Sequence, residues 1–167
     1  PEPPLLGTNL RMTEFQGALL RSQLRRLPEQ IARREANAAR LAADLQALGL
    51  PCQRRDPRVA THALHLFMVR YQPEAFGGLP RSEFLRALNA EGIPCSPGYR
   101  PFWRDPVWES DTVVRRVLAQ HPRRIRLTEL ELPVCERVGR EEAVWLTQNL
   151  LLGDEHDMTD IVEAVAR

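Results

Sequence analysis

The chain has 167 residues, 43% of them hydrophobic and 27% charged, which is enough for one soluble globular domain with a buried core. Its net charge of +1 gives no electrostatic footing for nucleic acid or an anionic membrane surface, and no apolar run is long enough to span a bilayer. Cys52, Cys95 and Cys135 lie far apart and form neither a CxxC pair nor a zinc pattern with the four histidines, so free thiols, a reducing cytoplasm and no metal are expected.

Residues 1–6, PEPPLL, carry three prolines and read as a linker or the exit from a preceding segment. The expectation is that this chain is the C-terminal part of a longer polypeptide. Gly7-Thr8-Asn9-Leu10-Arg11-Met12 then runs into Thr13-Glu14-Phe15-Gln16. Gly7 and Asn9 tolerate a left-handed backbone, and Thr13 with Gln16 three residues later has the form of a capping box. A polar loop delivered onto a helix N-terminus gathers N–H donors at the positive end of the helix dipole, and Asn9 and Arg11 add side-chain donors suited to a phosphate. The same residues also read as an ordinary capped helix start with a surface arginine.

Phe15, Leu19, Leu20, Leu24 and Leu27 recur at helical spacing through Arg26. Pro28 is costly inside a helix and welcome at its first turn, so a second helix is expected from Pro28 to Leu48, stopped by Gly49. Ala63–Tyr71 reads as a buried strand and Phe76–Pro80 as a turn. A helix follows from about Ser82 to the stop at Gly92. Ile93–Trp103 begins as a short strand and becomes a loop that its prolines exclude from the middle of a sheet. Tyr99, Arg100 and Trp103 there read equally as a substrate wall or as a packed loop. A short helix is expected over Asp111–Gln120 and an exposed basic run over His121–Arg126. Another helix opens at Pro133, a strand region covers Ala143–Leu152, and a last helix is capped by Asp157. The sum is an α+β domain, a small antiparallel or mixed sheet packed against helices, two of them long and N-terminal.

All 23 basic residues are arginine. With no lysine, no side chain here can hold an aldehyde cofactor as a Schiff base, because a guanidinium does not give up its proton.

The segment GTNLRMTEFQGALLRSQL resembles the G-x-N-x-R-M-(S/T)-E-(hydrophobic)-Q-x-A…Q-L segment of the DegT/StrS-type aminotransferases, fold-type-I enzymes that use pyridoxal 5'-phosphate (PLP). HALHLFMVRY, RSEFLRALNAEGIPCSPGYRPFW, PVCERV and EEAVWLTQNLLLGDEHDMTDIVEAV follow in the family's order, so the resemblance covers essentially the whole chain. The GYRPFW and AVWL features are most similar to the subgroup working on cyclitol or aminocyclic precursors. Leu10 departs from a frequent aromatic residue and Gly17 from a frequent alanine. The resemblance implies a linker and phosphate-contact loop over 1–11 and a C-terminal small domain over 12–167, the large domain with its cofactor lysine lying elsewhere. It implies that Asn9 reaches the PLP phosphate of the partner subunit in a homodimer, with Arg11 supporting it, and that Tyr99 and Arg100 approach the substrate. The implied substrates are a keto-sugar or cyclitol and an amino-acid donor. A branch of the family carrying histidine for the lysine, a PLP- or PMP-dependent sugar dehydratase, is an alternative, as is a non-catalytic dimerisation module. No catalytic residue is expected in the chain itself.

Overall fold

The computed structural model describes residues 11–105 and 130–167. Helix α1 spans Glu14–Ala47 without a break. The expected pair of helices divided at Pro28 is therefore one helix of 34 residues with Pro28 inside it. A proline there costs about 3 kcal/mol. The surrounding sequence is rich in Ala, Leu, Arg, Gln and Glu, and the summed propensity of those residues carries the helix past one missing hydrogen bond. The N-terminus is capped as expected: the Gln16 N–H donates to Thr13 Oγ1 at 3.3 Å, and the Thr13 N–H donates to Gln16 Oε1 at 2.9 Å. At the other end the Leu50 N–H donates to Leu45 O and the Gly49 N–H to Gln46 O, a Schellman closure that needs Gly49 at φ +84°.

Three short strands form the sheet: β1 (Leu66–Arg70), β2 (Cys95–Ser96) and β3 (Ala143–Thr147), in the order β1-β3-β2 with both pairings antiparallel. β2 is thus an edge strand, as its flanking prolines require. The outer edge of β1 is covered by residues 51–53, where the Arg70 N–H donates to Pro51 O and the Gln53 N–H to Met68 O. β1 is shorter than the expected Ala63–Tyr71 strand because Leu64 turns to φ +50°, its N–H donated to His62 Nδ1 at 2.9 Å.

Helix α2 (Arg81–Ala90) precedes β2 and ends in a second such closure, with the Ile93 N–H on Leu88 O. Helix α3 (Pro133–Arg137) starts on its proline and passes through one π-type turn, Val138–Glu142, into β3. Helix α4 (Glu155–Ala166) closes the chain. Its cap is Asp154, not the expected Asp157: Asp154 Oδ1 accepts the N–H groups of His156 and Asp157, while Asp157 Oδ2 accepts the Asp154 N–H. Two aspartates three residues apart fit both ends of a capping box, and Gly153 lets the helix begin at the first.

One face of the sheet carries Phe67, Val69, Val144 and Leu146 into a core completed by Leu41 and Leu45 of α1, Phe84 and Leu88 of α2, and Met158 and Ile161 of α4. Tyr71, Phe76 and Phe84 stack with ring centroids 4.7–5.3 Å apart, and the Tyr71 hydroxyl donates to Leu79 O. Asn37 ties α1 to the turn before α4 by donating to Leu151 O and Gly153 O, both at 3.0 Å. The N-terminal half of α1 meets none of this: Phe15 is 90% exposed and Leu19 62%. The expected helix over Asp111–Gln120 and the basic run at His121–Arg126 lie outside the described residues. Among those described, no helix is long and apolar enough to cross a membrane, and no cluster of metal-ligating side chains occurs.

Candidate functional site

Two segments carry the residues singled out in the sequence. The first leads into α1. Asn9 lies outside the described residues, and Arg11 is exposed just ahead of the Thr13 cap. The capping box already occupies the Thr13 and Gln16 N–H groups, and Glu14 adds a carboxylate in the first turn. For a phosphate held at this loop the Arg11 guanidinium is a chemically suited side-chain donor. The chain can offer phosphate donors but no amine for a covalent link.

The second segment is the loop from Pro97 to Arg104. Gly98 takes φ +78° and lies flat against the indole of Trp145; a Cβ on it would stand 2.5 Å from Trp145 Cε2. Tyr99 then packs edge-on to the same indole, with centroids 4.9 Å apart and planes at 81°. On the loop's other side, a Cβ on Gly139 would lie 3.1 Å from Pro101 Cδ. Arg104 fixes the far end by donating to Glu136 Oε1 at 2.8 Å, which holds the Glu136 carboxyl below the usual carboxylate range. Between these anchors Tyr99 and Arg100 are exposed. Trp103 is half-buried, and its indole N–H lies near enough to the Glu136 carboxyl to help hold it low. The loop thus presents Tyr99 and Arg100 outward and turns Trp103 inward.

The π-type turn behind this loop is braced by groups that the sequence reading did not single out. Arg81 donates to Ala143 O at 2.9 Å, to Gly139 O at 3.3 Å and to Arg140 O. Glu142 is ion-paired with Arg137 Nε at 2.8 Å and with Arg70 Nε at 3.1 Å. Arg70 reaches Glu142 through the β1–β3 register and Arg81 reaches the turn from α2, so no local spacing announces either of them. Gly98, after Pro97 at a strand end, is the one signal the sequence did contain. The largest cleft described, of about 880 Å³, lies between Arg81 and the π-type turn, with Arg70 and Pro97 at its rim. Neither it nor three other clefts of about 470–510 Å³ is lined by Arg11, Tyr99 or Arg100.

Residues 2–150 match the model of the DegT/DnrJ/EryC1/StrS aminotransferase family. The L-glutamine:2-deoxy-scyllo-inosose aminotransferase of Streptoalloteichus tenebrarius is 38% identical, over 98% of this chain and 39% of the relative. The putative L-glutamine:3-amino-2,3-dideoxy-scyllo-inosose aminotransferase of Streptomyces kanamyceticus is 35% identical, over 97% and 40%. The crystal structure of 3-amino-5-hydroxybenzoic acid synthase superposes with a TM-score of 0.74 at 27% identity, over 97% of this chain and 40% of that one. The chain spans about two fifths of the length of the curated relatives it matches.

Proposed function

The chain belongs to the DegT/DnrJ/EryC1/StrS aminotransferase family, and we propose that it is the C-terminal small domain of a PLP-dependent aminotransferase that moves the amino group of glutamine to a cyclitol ketone. The observation that carries this reading is the 38% identity, across nearly the whole chain, to an enzyme named for glutamine and 2-deoxy-scyllo-inosose. When bound, PLP supplies the electron sink for the transfer. Residues 1–11 act as linker and phosphate-contact loop, and residues 12–167 as the small domain.

Within that arrangement Asn9 and Arg11 donate to the cofactor phosphate across a homodimer interface. Tyr99 offers a flat apolar face to the ring of the substrate, and Arg100 offers donors to its hydroxyls. The lysine-free composition assigns the covalent link and the proton shuttle to another stretch of the enzyme. The exposed Phe15, Leu19, Leu20, Leu24 and Leu27 support the assignment of the α1 arm to the dimer surface, since that much exposed apolar side chain is rarely left to water. The setting is cytoplasmic, where the three thiols stay reduced.

The test is to incubate the complete enzyme carrying this chain with PLP, glutamine and 2-deoxy-scyllo-inosose, and to follow the products by mass spectrometry. An aminated cyclitol formed in step with glutamine consumption is expected. No amination of this or any related cyclitol ketone would overturn the reading.

A further inference from the structure

We propose that Trp145 is the positioning residue for Tyr99: its indole is the platform that fixes the 97–101 loop in the orientation that meets the substrate ring. This rests on the reading of Tyr99 as substrate wall. Trp145 lies on the sheet face turned away from the core, directly across the strands from Met68 of β1 and Ser96 of β2. Gly98 presses on one part of the indole and Tyr99 meets it edge-on. Gly139 closes the loop from behind, with Tyr99 O 3.6 Å and Pro101 Cδ 3.1 Å from where its Cβ would be. The loop is wedged between a tryptophan and a turn: Gly98 has no room for a methyl group, and one on Gly139 would press on Pro101.

That fit does not bury Tyr99, which remains 78% exposed. An exposed aromatic ring gains nothing for the core by being held in one orientation. Held so, it has lost its conformational freedom before a ligand arrives, and the ligand then binds without having to order it. The contact is therefore preorganisation of a binding surface, and Trp145 acts on the substrate through Tyr99.

The test uses the complete enzyme and compares Trp145→Phe, Trp145→Leu, Gly98→Ala and Tyr99→Ala, with 2-deoxy-scyllo-inosose as acceptor and glutamine as donor. Trp145→Leu and Gly98→Ala should each raise KM for the ketone about tenfold while kcat falls less than about twofold, the split expected when binding geometry is lost and chemistry is kept. Trp145→Phe should recover most of that loss, since a ring still supports Tyr99. In the Tyr99→Ala background a further Trp145→Leu change should add nothing, because residues acting as a unit are non-additive. Gly98→Ala leaves the strand residues untouched, so it decides the matter if Trp145→Leu fails to fold. An unchanged KM in folded Gly98→Ala, or additive effects in the double variant, overturns the proposal alone. Absence of amination by the unaltered enzyme overturns it together with the functional reading.

Discussion

Gly49 and Ala75 meet at the C-terminal end of α1, where a methyl group on Gly49 would stand 2.6 Å from the Cβ of Ala75. Gly49 also sits at φ +84°, so replacing it adds a clash to a left-handed strain. Gly49→Ala should lower stability by about 2–4 kcal/mol, the sum of a left-handed alanine and an overpacked contact. Gly77 has a similar φ of +61° and nothing within 4 Å, so Gly77→Ala should cost only about 1 kcal/mol. Urea unfolding of both variants separates the two contributions; equal losses would mean that the Ala75 contact relaxes freely.

Arg81 gives a second test. Its guanidinium donates to three carbonyls at the end of the π-type turn, and no lysine ammonium reproduces that fork. Arg81→Met should destabilise the chain by about 1.5–3 kcal/mol, the range for hydrogen bonds to a charged group. Arg81→Lys should restore less than half of it. Amide exchange at residues 138–143 should quicken in both variants, while a uniform change across the chain would point away from a local brace.

How far the fold was legible follows from the range of the interactions. The Thr13–Gln16 capping box and the Gly49 and Gly92 stops depend on residues within one turn of each other, and the local sequence contains all of them. Pro28 misled because its cost is local while the propensity that outweighs it is spread over 34 residues. Asp154 and Asp157 are chemically alike, and only the position of Gly153 and the start of the helix choose between them. Leu64 delays the start of β1 through a bond to His62 that no strand pattern encodes. Tyr99 and Arg100 stood out by their aromatic and cationic alternation. The indole supporting Tyr99 lies far along the chain, opposite Ser96, and becomes its neighbour only once β2 pairs with β3.

Asp154 predicts an acid limb. The N–H donations of Asp157 and then His156 hold its carboxyl below the ordinary value of 3.8. A depressed folded-state value contributes stability that is present above the unfolded value and is lost as pH falls through the folded one. The cap should therefore weaken progressively as pH falls from about 5 through 3.8 and below. Asp154→Asn keeps a capping oxygen and should melt close to the parent at acid pH but below it at neutral pH. A constant difference in melting temperature at all pH values would remove Asp154 from the acid response.

The thiols should divide two to one. Burial pushes Cys52 and Cys95 each up to about 11, whereas Cys135 is exposed. At pH 8 only about one in a thousand of the buried thiols is ionised, and the thiolate is the reacting form. One cysteine per chain, Cys135, should react rapidly with iodoacetamide in the native state, and peptide mapping would identify it. Rapid modification of Cys52 would mean that the loop before β1 opens far more readily than its hydrogen bonds to Met68 and Arg70 suggest.

The phosphate-contact proposal makes the sharpest demand on the start of the chain. If Asn9 and Arg11 donate to the phosphate, each Ala variant removes a hydrogen bond to a charged group, which is about 1.5–3 kcal/mol or roughly ten- to a hundredfold in cofactor retention. The Thr13 capping box stays intact in both, so the cofactor-free form should lose much less stability than the enzyme loses in cofactor retention. Retention is read as PLP released on dilution of the complete enzyme, and folding is read separately by calorimetry without cofactor. A fall in cofactor-free stability that matched the fall in retention would make the two residues structural. Unchanged retention would remove them from the site. This chain incubated alone with PLP and borohydride should carry no adduct on any side chain, because its 23 basic residues are all arginine. An adduct mapped to a side chain would overturn the division of labour in which another part of the enzyme supplies the amine.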